Sequence, residues 1–357
     1  MDELLKIDKN FKIETTIDKA DLKYIPSTEP CFDLYGLMCT DGRYHRLPPE
    51  IAEKVNDGVK GMNYNTAGGR IRFKTNSKYV AVHYNLYADH ANGHISALGR
   101  SGTDMYLVED GKQVFYRSFV PFHKPSDTSE QIIEFTNNAD REIVIHLPLY
   151  NCCKNLHIGI QESAYVVNGS KYKYEKPIVF YGSSITHGAC ASRPGNAYEN
   201  HISRYFDTNF INLGFSGSCR GEQPMCDYLA SLDMSIFVLD YDHNAPSTEH
   251  LENTHENLFR TFREKQPDTP VIIMSMTDVP RSDEAVRNTL KRREIIMKTY
   301  SNAIAKGDKN VYFIDGQEIF KTAGGADCTV DGCHPNDLGF WCMGQAVIRV
   351  IEENKLL

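Results

Sequence analysis

The stretch 177–188 reads Pro-Ile-Val-Phe-Tyr-Gly-Ser-Ser-Ile-Thr-His-Gly, an apolar run that breaks at Gly182 and continues with small hydroxyl residues. The apolar run predicts a buried strand, and the residues after Gly182 can begin a helix. A serine at a helix N-terminus lies close to backbone N–H groups that have no partner inside the helix. Acyl transfer requires this combination, because the serine oxygen can attack a carbonyl while the N–H groups hold the oxyanion that forms.

Ser184 is the candidate nucleophile, although an isolated Gly-Ser-Ser more often caps a helix. The stretch also lacks the Gly-x-Ser-x-Gly pattern of the α/β-hydrolases. The segment Asp331-Gly-Cys-His334-Pro favours catalysis by Ser184 over helix capping. Its aspartate can accept a hydrogen bond from one imidazole nitrogen while the other nitrogen faces the serine. Asn336 and Asp337 can cap the last helix without Asp331. The sequence therefore predicts a serine hydrolase with Ser184, Asp331 and His334 as catalytic residues.

The second half of the chain alternates short apolar runs with longer amphipathic stretches. The apolar runs, which are typical of buried parallel strands, are 177–181, 209–213, 235–240, 270–275 and 310–314. The stretches 248–265 and 282–306 are long enough for crossover helices. This alternation predicts an α/β domain over 176–357, a three-layer, doubly wound sheet whose site lies at the carboxyl ends of its strands.

The first half shows period-two patterning instead. Residues 70–75, 80–86 and 143–147 alternate in the manner of strands, and Glu109-Asp-Gly-Lys112 separates two further runs as a hairpin turn would. An antiparallel β-sandwich, jelly-roll-like in topology, fits this pattern best over residues 1–170. The polar segment 168–176 is the predicted linker between the two domains.

Composition narrows the function classes. The chain has 357 residues, 41% of them apolar and 24% charged, with a net charge of −8 that disfavours a nucleic-acid partner. No apolar run is long enough for a membrane helix, and the N-terminus lacks the pattern of a secretion signal, so a cytoplasmic protein without a membrane partner is expected. The ten cysteines have no regular spacing; Cys328-x4-Cys333-His334 comes closest to a metal pattern but lacks a partner pair. No metal is expected.

Two more strand ends carry candidate residues. The glycines of Gly214-Phe-Ser-Gly217 allow the backbone to come close to a ligand, and the lysine of a phosphate-binding loop is missing. The segment Asp240-Tyr-Asp242-His-Asn244-Ala-Pro follows the next strand, and the Asn244 amide can donate to an oxyanion. All these segments are expected at one edge of the same sheet, which strengthens the prediction of a site there.

These residues resemble the SGNH, or GDSL-type, hydrolase superfamily over roughly 177–350. Gly182-Ser-Ser184-Ile-Thr resembles its nucleophile block, Gly217 its oxyanion glycine, Asn244 its oxyanion asparagine, and Asp331-x-x-His334-Pro its acid–base block. Ser183 stands where the GDSL name has aspartate, and the third block lacks the usual Gly-x-Asn-Asp. In the first half, Gly102-Thr-Asp-Met-Tyr106 resembles the GxDLY motif of a β-sandwich that precedes SGNH domains in bacterial esterases.

The resemblance implies a cofactor-free carboxylic ester hydrolase in which the N–H groups of Ser184 and Gly217 and the Asn244 amide form the oxyanion hole. The expected substrate is a small ester or an acetylated carbohydrate. Two alternatives stay open: a thioesterase or lysophospholipase-type acyl hydrolase, and a non-catalytic carbohydrate-binding protein on the same scaffold. The sequence leaves homo-oligomer formation open.

Six further residues have less certain roles. His187 is expected to line the substrate pocket or cap its helix, with a role as a rival base less favoured, and Asp242 is expected to line the pocket. Tyr84, Tyr87, His90 and His94 can either reach a bound sugar, if the sandwich overhangs the site, or lie on the surface of a strand.

Overall fold

A computed structural model describes residues 13–87, 93–121 and 128–357. Antiparallel strands form the first half of the chain, and a parallel sheet with helices forms the second. The expected α/β class with a preceding β domain is therefore confirmed. Every helix in these residues is too short or too polar to span a bilayer.

Two antiparallel sheets make up most of the first half. The strands are β1 (Leu22–Pro26), β2 (Asp33–Tyr35), β3 (Met38–Thr40), β4 (Arg43–His45), β5 (Arg70–Thr75), β6 (Tyr79–Tyr87), β7 (Thr103–Glu109), β8 (Lys112–Phe119), β9 (Thr128–Glu134), β10 (Arg141–His146), β11 (Cys152–Gln161) and β12 (Val166–Asn168). One sheet has the order β3-β4-β11-β6-β9 with β1 beside β11; the other has the order β12-β5-β10-β7-β8 with β2 beside β5. Apolar side chains from both sheets, such as Val82 and Ile145, share one core.

The expected hairpin is present between β7 and β8. Glu109 pairs with Lys112, and the two residues between them, Asp110 and Gly111, have φ angles of +50° and +76°. Positive φ at both central positions is the geometry that Asp-Gly favours in tight hairpins. Three short helices, α1 (Pro49–Val55), α2 (Asp57–Met62) and α3 (Ala97–Ser101), interrupt the strands.

The second half is an α/β unit. It contains β13 (Tyr174–Gly182), α4 (Ser184–His187), α5 (Tyr198–Phe206), β14 (Thr208–Gly214), α6 (Gln223–Ser231), β15 (Ile236–Asp240), α7 (Thr248–Lys265), β16 (Val271–Met274), α8 (Asp283–Ala305), β17 (Val311–Ile314), α9 (Gly316–Ile319) and α10 (Asp337–Asn354), with 3₁₀ turns at Pro194–Asn196 and Gly325–Cys328. The five strands are all parallel, in the order β14-β13-β15-β16-β17. Successive strand residues point to opposite faces: Val179 packs with α6, α7 and α8, and Ile178 packs with α5 and α10.

The two halves are packed together tightly. Leu47, Ala52 and Val59, on and beside the helices α1 and α2, lie in the same apolar cluster as Leu213 and Phe262 of the second half. Polar links reinforce this packing, since the Asn56 amide donates to the Ser218 carbonyl at 3.0 Å. The halves thus share a core, and the division at 170 and 176 stays a prediction about sequence organisation.

The Gly102–Tyr106 motif lies at the contact between the halves. Asp104 is fully buried on β7 and accepts hydrogen bonds from the Arg193 guanidinium at 2.7 Å and the Gly195 N–H at 2.9 Å. The Tyr106 hydroxyl accepts from the same guanidinium at 2.6 Å. The motif therefore fastens the β domain to the segment that follows α4.

Candidate active site

The carboxyl ends of three strands lie side by side, because the register of the parallel sheet pairs Gly182 at the end of β13 with Gly214 on one side and Asp240 on the other. The segments that follow these residues must therefore begin at one edge of the sheet. This register confirms the expectation of a shared edge for the segments that follow Gly182, Gly214 and Asp240.

The two serines after Gly182 make different contacts. The Ser183 hydroxyl accepts a hydrogen bond from the Ile185 N–H at 3.2 Å and caps α4. The Ser184 hydroxyl lies 2.9 Å from His334 Nε2. Ser184 begins α4, so its own N–H belongs to the first turn, where the helix supplies no acceptor. Helix capping and contact with the histidine are thus divided between neighbouring serines.

Asp331 and His334 lie on one turn, residues 329–335, which we name the acid–base turn. The turn is closed by a bridge between Thr329 and Pro335 and by the Val330 N–H, which donates to the His334 carbonyl at 2.8 Å. His334 Nδ1 lies 2.7 Å from Asp331 Oδ2, and Asp331 Oδ1 accepts from the His334 N–H at 2.8 Å. The carboxylate thus fixes both the ring and the backbone of the histidine.

The electrostatics of this turn suit proton transfer. Partial burial raises the pKa of Asp331, but hydrogen bonds from the His334 ring and from two backbone N–H groups outweigh it and lower the pKa to about 2. An ionised Asp331 accepts the Nδ1 proton, which leaves Nε2 free to accept from the Ser184 hydroxyl. The three side chains can therefore move a proton away from the serine oxygen.

Gly217 and Asn244 follow the two neighbouring strands. Gly217 has φ +67°, and a Cβ atom there would meet no atom within 4 Å, so backbone conformation and not space favours glycine. In the described ranges no acceptor is recorded for its N–H. Asn244 Oδ1 lies 3.4 Å from the Cys219 N–H, which turns the amide nitrogen of the side chain the other way.

The expectation that His187 lines the pocket is wrong. Its side chain is fully buried, Nε2 lies 2.9 Å from the Leu149 carbonyl, and Nδ1 accepts from the Ser216 N–H at 3.4 Å. Burial, followed by the Arg46 charge, holds its pKa well below the ordinary value. A neutral histidine without solvent contact can support the backbone of residues 214–217, but it cannot touch substrate.

Asp242 is likewise buried and cannot line a pocket surface. Its Oδ2 accepts from the Met276 N–H at 2.7 Å, and its Oδ1 lies 2.8 Å from His243 Nδ1. A position just after a strand does not by itself give the direction of a side chain, because successive residues point to opposite faces.

Among the described residues of the first half, Tyr150 and His94 reach the site, and Tyr150 had no signal in the sequence. The Tyr150 hydroxyl donates to the Ser184 carbonyl at 3.2 Å, and its ring stacks on His187 with centroids 4.1 Å apart. The exposed ring of His94 lies 5.2 Å from the ring of His334. Tyr84 is buried within the β domain, so neither expectation for it holds. The Tyr87 side chain and His90 lie outside the described residues.

Donor atoms of His243, Asp278 and Cys333 lie within 4.8 Å of one another, which is close enough to consider a metal. The His243 ring is 2.8 Å from each of two carboxylates, Asp242 and Asp278. An imidazolium between two carboxylates explains the cluster by ion pairing alone. The expectation that no metal is bound stays a prediction.

Comparisons with known proteins point to one family of enzymes over both halves of the chain. A model of the GDSL-like lipase/acylhydrolase family matches residues 175–352, and a model of the N-terminus of SGNH-hydrolase-type esterases, named GxDLY, matches residues 22–166. No curated protein matches the chain significantly.

Solved structures cover both halves together. A protein of Bacteroides ovatus ATCC 8483, described as a GDSL-like lipase, is 32% identical with a TM-score of 0.85 over 93% of this chain and 97% of its own. A salicylyl-acyltransferase from a tetracycline biosynthetic pathway is 18% identical, with a TM-score of 0.76 over 95% of this chain and 99% of its own. An acetyl xylan esterase of the rumen bacterium Butyrivibrio proteoclasticus is 10% identical, with a TM-score of 0.58 over 94% and 99%. At these lower identities the likeness shows the fold alone.

The Bacteroides relative spans nearly the whole chain, and the family match falls on the half that carries Ser184 and His334. The chain therefore belongs to the GDSL-like lipase/acylhydrolase family of SGNH-type esterases, and it is a carboxylic ester hydrolase.

Proposed function

We propose that this enzyme is a serine-dependent hydrolase that removes short acyl groups, above all acetyl, from a carbohydrate or a related small ester. The observation that carries the proposal is the continuous chain of contacts from Ser184 Oγ to His334 Nε2, at 2.9 Å, and from His334 Nδ1 to Asp331, at 2.7 Å. Both distances are within hydrogen-bond reach, which is what a serine nucleophile and its base require.

The reaction begins when Ser184 Oγ forms a bond to the acyl carbon and its proton moves to His334 Nε2. The carbonyl oxygen takes the electron pair of the broken π bond, and the N–H groups of Ser184 and Gly217 and the Asn244 amide hold the resulting oxyanion. When the oxyanion collapses, the bond to the alcohol breaks and His334 gives its proton to the leaving oxygen. Water then repeats these steps on the acyl-enzyme, which releases the acid and restores Ser184.

Asp331 assists by remaining ionised. Because its pKa is lowered to about 2, the carboxylate keeps its charge at any ordinary working pH and stabilises the imidazolium formed on His334. The side chain is 40% exposed, so solvent moderates this interaction.

Two features support a polar alcohol group in the substrate. A cleft of about 800 Å³ is lined by Asp331 but not by Ser184 or His334, so it lies beside the nucleophile. Its lining combines the polar side chains of Arg281, Asn288 and Asp327 with apolar ones. The exposed His94 adds a polar ring from the first half of the chain. A sugar ring can form hydrogen bonds with such groups, whereas the long chain of a lysophospholipid needs a largely apolar site. The fold shared with an acetyl xylan esterase is consistent with this choice.

Covalent labelling with a fluorophosphonate probe tests the nucleophile. We expect the wild type to be labelled on Ser184 and Ser184→Ala to be unlabelled. Ser183→Ala is the matched control: it should still be labelled, although loss of a helix cap costs about 1 kcal/mol of stability. Undiminished labelling of a folded Ser184→Ala variant would refute the assignment.

Acyl esters of increasing chain length, assayed beside acetylated oligosaccharides, test the substrate class. We expect kcat/KM to be highest for acetyl and to fall with each added pair of carbons. A preference for long chains would favour the lysophospholipase alternative. The absence of turnover on every ester would favour a binding protein.

A further inference from the structure

A cluster of charged side chains lies between the loop that carries Asn244 and the acid–base turn. We name residues 240–245 the oxyanion loop. His243 in this loop is 7% exposed; its Nδ1 lies 2.8 Å from Asp242 Oδ1 and its Nε2 lies 2.8 Å from Asp278 Oδ1. Asp242 belongs to the same loop, whereas Asp278 follows β16. The imidazole therefore connects two loops that leave different strands.

The oxyanion loop is held at both ends. Arg292 on α8 donates to the Asp242 carbonyl at 2.7 Å and to the Ala245 carbonyl at 2.9 Å. The Asp242 carboxylate also accepts from the Met276 N–H at 2.7 Å. Between these fixed points stand only His243 and Asn244. The Ala245 N–H also donates to the Asp242 carbonyl at 3.0 Å, which closes a turn with His243 and Asn244 at its centre. The ring of His243 holds this turn against Asp278.

Asp278 continues the connection to the acid–base turn. Its carboxylate lies within 4.8 Å of the thiol of Cys333, the residue before His334. The Val279 N–H donates to the Gly332 carbonyl at 2.9 Å, and the Gln317 amide donates to the Asp278 carbonyl at 3.1 Å. The segment around Asp278 is therefore joined to the turn through its backbone, and the Asp278 and Cys333 side chains lie close to each other beside this bond.

Charge strengthens the connection. Burial lowers the pKa of His243, but Asp242 and Asp278 outweigh it and hold the pKa well above the ordinary value. The same contact with His243 lowers the pKa of Asp278 despite its burial. A charged imidazolium strengthens the hydrogen bond from His243 Nε2 to Asp278, and it forms an ion pair with Asp242 on its other side.

We propose that His243 is a positioning residue, which holds the Asn244 amide where the oxyanion forms and keeps it in register with the Asp331–His334 pair. The inference rests on the proposed function, because it assigns Asn244 to the oxyanion hole. The hydrogen bond recorded for the Asn244 side chain, from the Cys219 N–H, is long at 3.4 Å. A weak contact of this kind leaves the placement of the amide to the backbone, and hence to His243 and Asp278.

A double-mutant cycle tests the proposal, with kcat and KM for p-nitrophenyl acetate measured in wild type, His243→Gln, Asn244→Ala and the double variant. Removal of the Asn244 donor should lower kcat by about 10²–10³-fold. His243→Gln should lower kcat by about 10- to 100-fold with KM changed by less than about threefold, because a displaced oxyanion donor weakens binding of the transition state and not of the substrate. In the Asn244→Ala background the same change should cost less than about threefold.

The cycle can fail in two ways. If His243→Gln costs as much kcat with Ala at 244 as with Asn, His243 does not act through Asn244. A rise in KM with unchanged kcat would also overturn the proposal, because it would place His243 in ground-state binding. Asp278→Asn is the second variant and should give the same split between kcat and KM; it keeps the proposal testable if His243→Gln does not fold.

Arg263→Gln is the matched control for general loss of stability. Arg263 pairs with Asp308 at 2.8 Å and donates to the Thr269 carbonyl at 2.6 Å, next to the amino end of β16 and thus at the edge of the sheet away from Ser184. It should lower the urea midpoint and leave kcat unchanged. Wild-type turnover separates the two proposals: an inactive wild type refutes the proposed function, whereas an active wild type with a fully active His243→Gln refutes only the positioning role.

Discussion

One aspartate–histidine pair from each half of the chain can be compared, because the two pairs have nearly the same distance between carboxylate and imidazole. Asp331 and His334 are 2.7 Å apart at the carboxyl edge of the parallel sheet, and Asp104 and His146 are 2.8 Å apart inside the β domain. The side chains of the first pair are 40% and 21% exposed, whereas those of the second are 0% and 3% exposed. Distance alone therefore does not distinguish a reactive pair from a structural one.

The neighbours of each pair make the difference. The second oxygen of Asp104 accepts hydrogen bonds from Arg193 and the Gly195 N–H, so this carboxylate joins the two halves of the chain. The ring of His334 also contacts the Ser184 hydroxyl, whereas the ring of His146 packs edge-on against Tyr106. A histidine can serve as a base only where its free nitrogen faces a group that gives up a proton.

Loss of the reactive carboxylate should have the largest effect. In Asp331→Asn, the amide can donate to Nδ1 and favour the wrong tautomer of His334, so kcat should fall by about 10⁴-fold with little change in fold. Stopped-flow or long-time assays with p-nitrophenyl acetate would measure the loss. A decrease of less than about tenfold would show that Asp331 does not orient the base.

Loss of the structural carboxylate should affect stability instead. Asp104→Asn leaves the Arg193 charge unpaired at a buried contact, which should cost about 3–5 kcal/mol in the free energy of unfolding. Urea denaturation followed by fluorescence would measure it. The folded variant should retain kcat within about threefold. A large loss of kcat with an unchanged urea midpoint would contradict the division of roles between the pairs.

The pH dependence of that loss follows from the pKa of Asp104. Burial raises this pKa, but His146 and Arg193 outweigh it and lower it below the ordinary value of 3.8. A lowered carboxyl pKa contributes stability that is present above 3.8 and lost as the pH falls through the folded value. The difference between wild type and Asp104→Asn should therefore be complete at about pH 7 and shrink by about pH 3. A constant difference would show that the charge of Asp104 is not what stabilises the contact.

The smallest effect is expected at His94, which belongs to the first half but faces His334. His94→Ala should reduce kcat/KM for an acetylated oligosaccharide by about three- to tenfold and change it less for p-nitrophenyl acetate, since only the larger substrate extends past the triad. Equal losses on both substrates would instead assign His94 to the support of His334.

The sequence was sufficient to predict the parallel strands, the two long helices and the residues that meet at the sheet edge. These predictions rest on local patterns: apolar runs end at polar segments, and parallel strands bring such ends together. The spacing of Asp331 and His334 is local in the same sense, because a single turn holds both.

The wrong or missing assignments all depend on contacts between distant segments. His187 and Asp242 follow strand ends as expected, but their side chains point into the protein. The repeat of apolar residues along the sequence does not give that direction. Tyr150 and His94 reach the site only because the two halves pack against each other. The GxDLY motif was recognisable in the sequence. Its role in joining the two halves became clear only from its contacts with Arg193 in the structure.

The shared core has a consequence for how the chain is made. Leu47, Ala52 and Val59 share an apolar cluster with residues as far along the chain as Phe262, about 200 positions later. At a synthesis rate of about 5–20 residues per second, these apolar side chains leave the ribosome on the order of 10–40 s before their partners. During that interval the apolar side chains of the nascent β domain lack these later partners, and transiently exposed apolar surface of this kind favours aggregation.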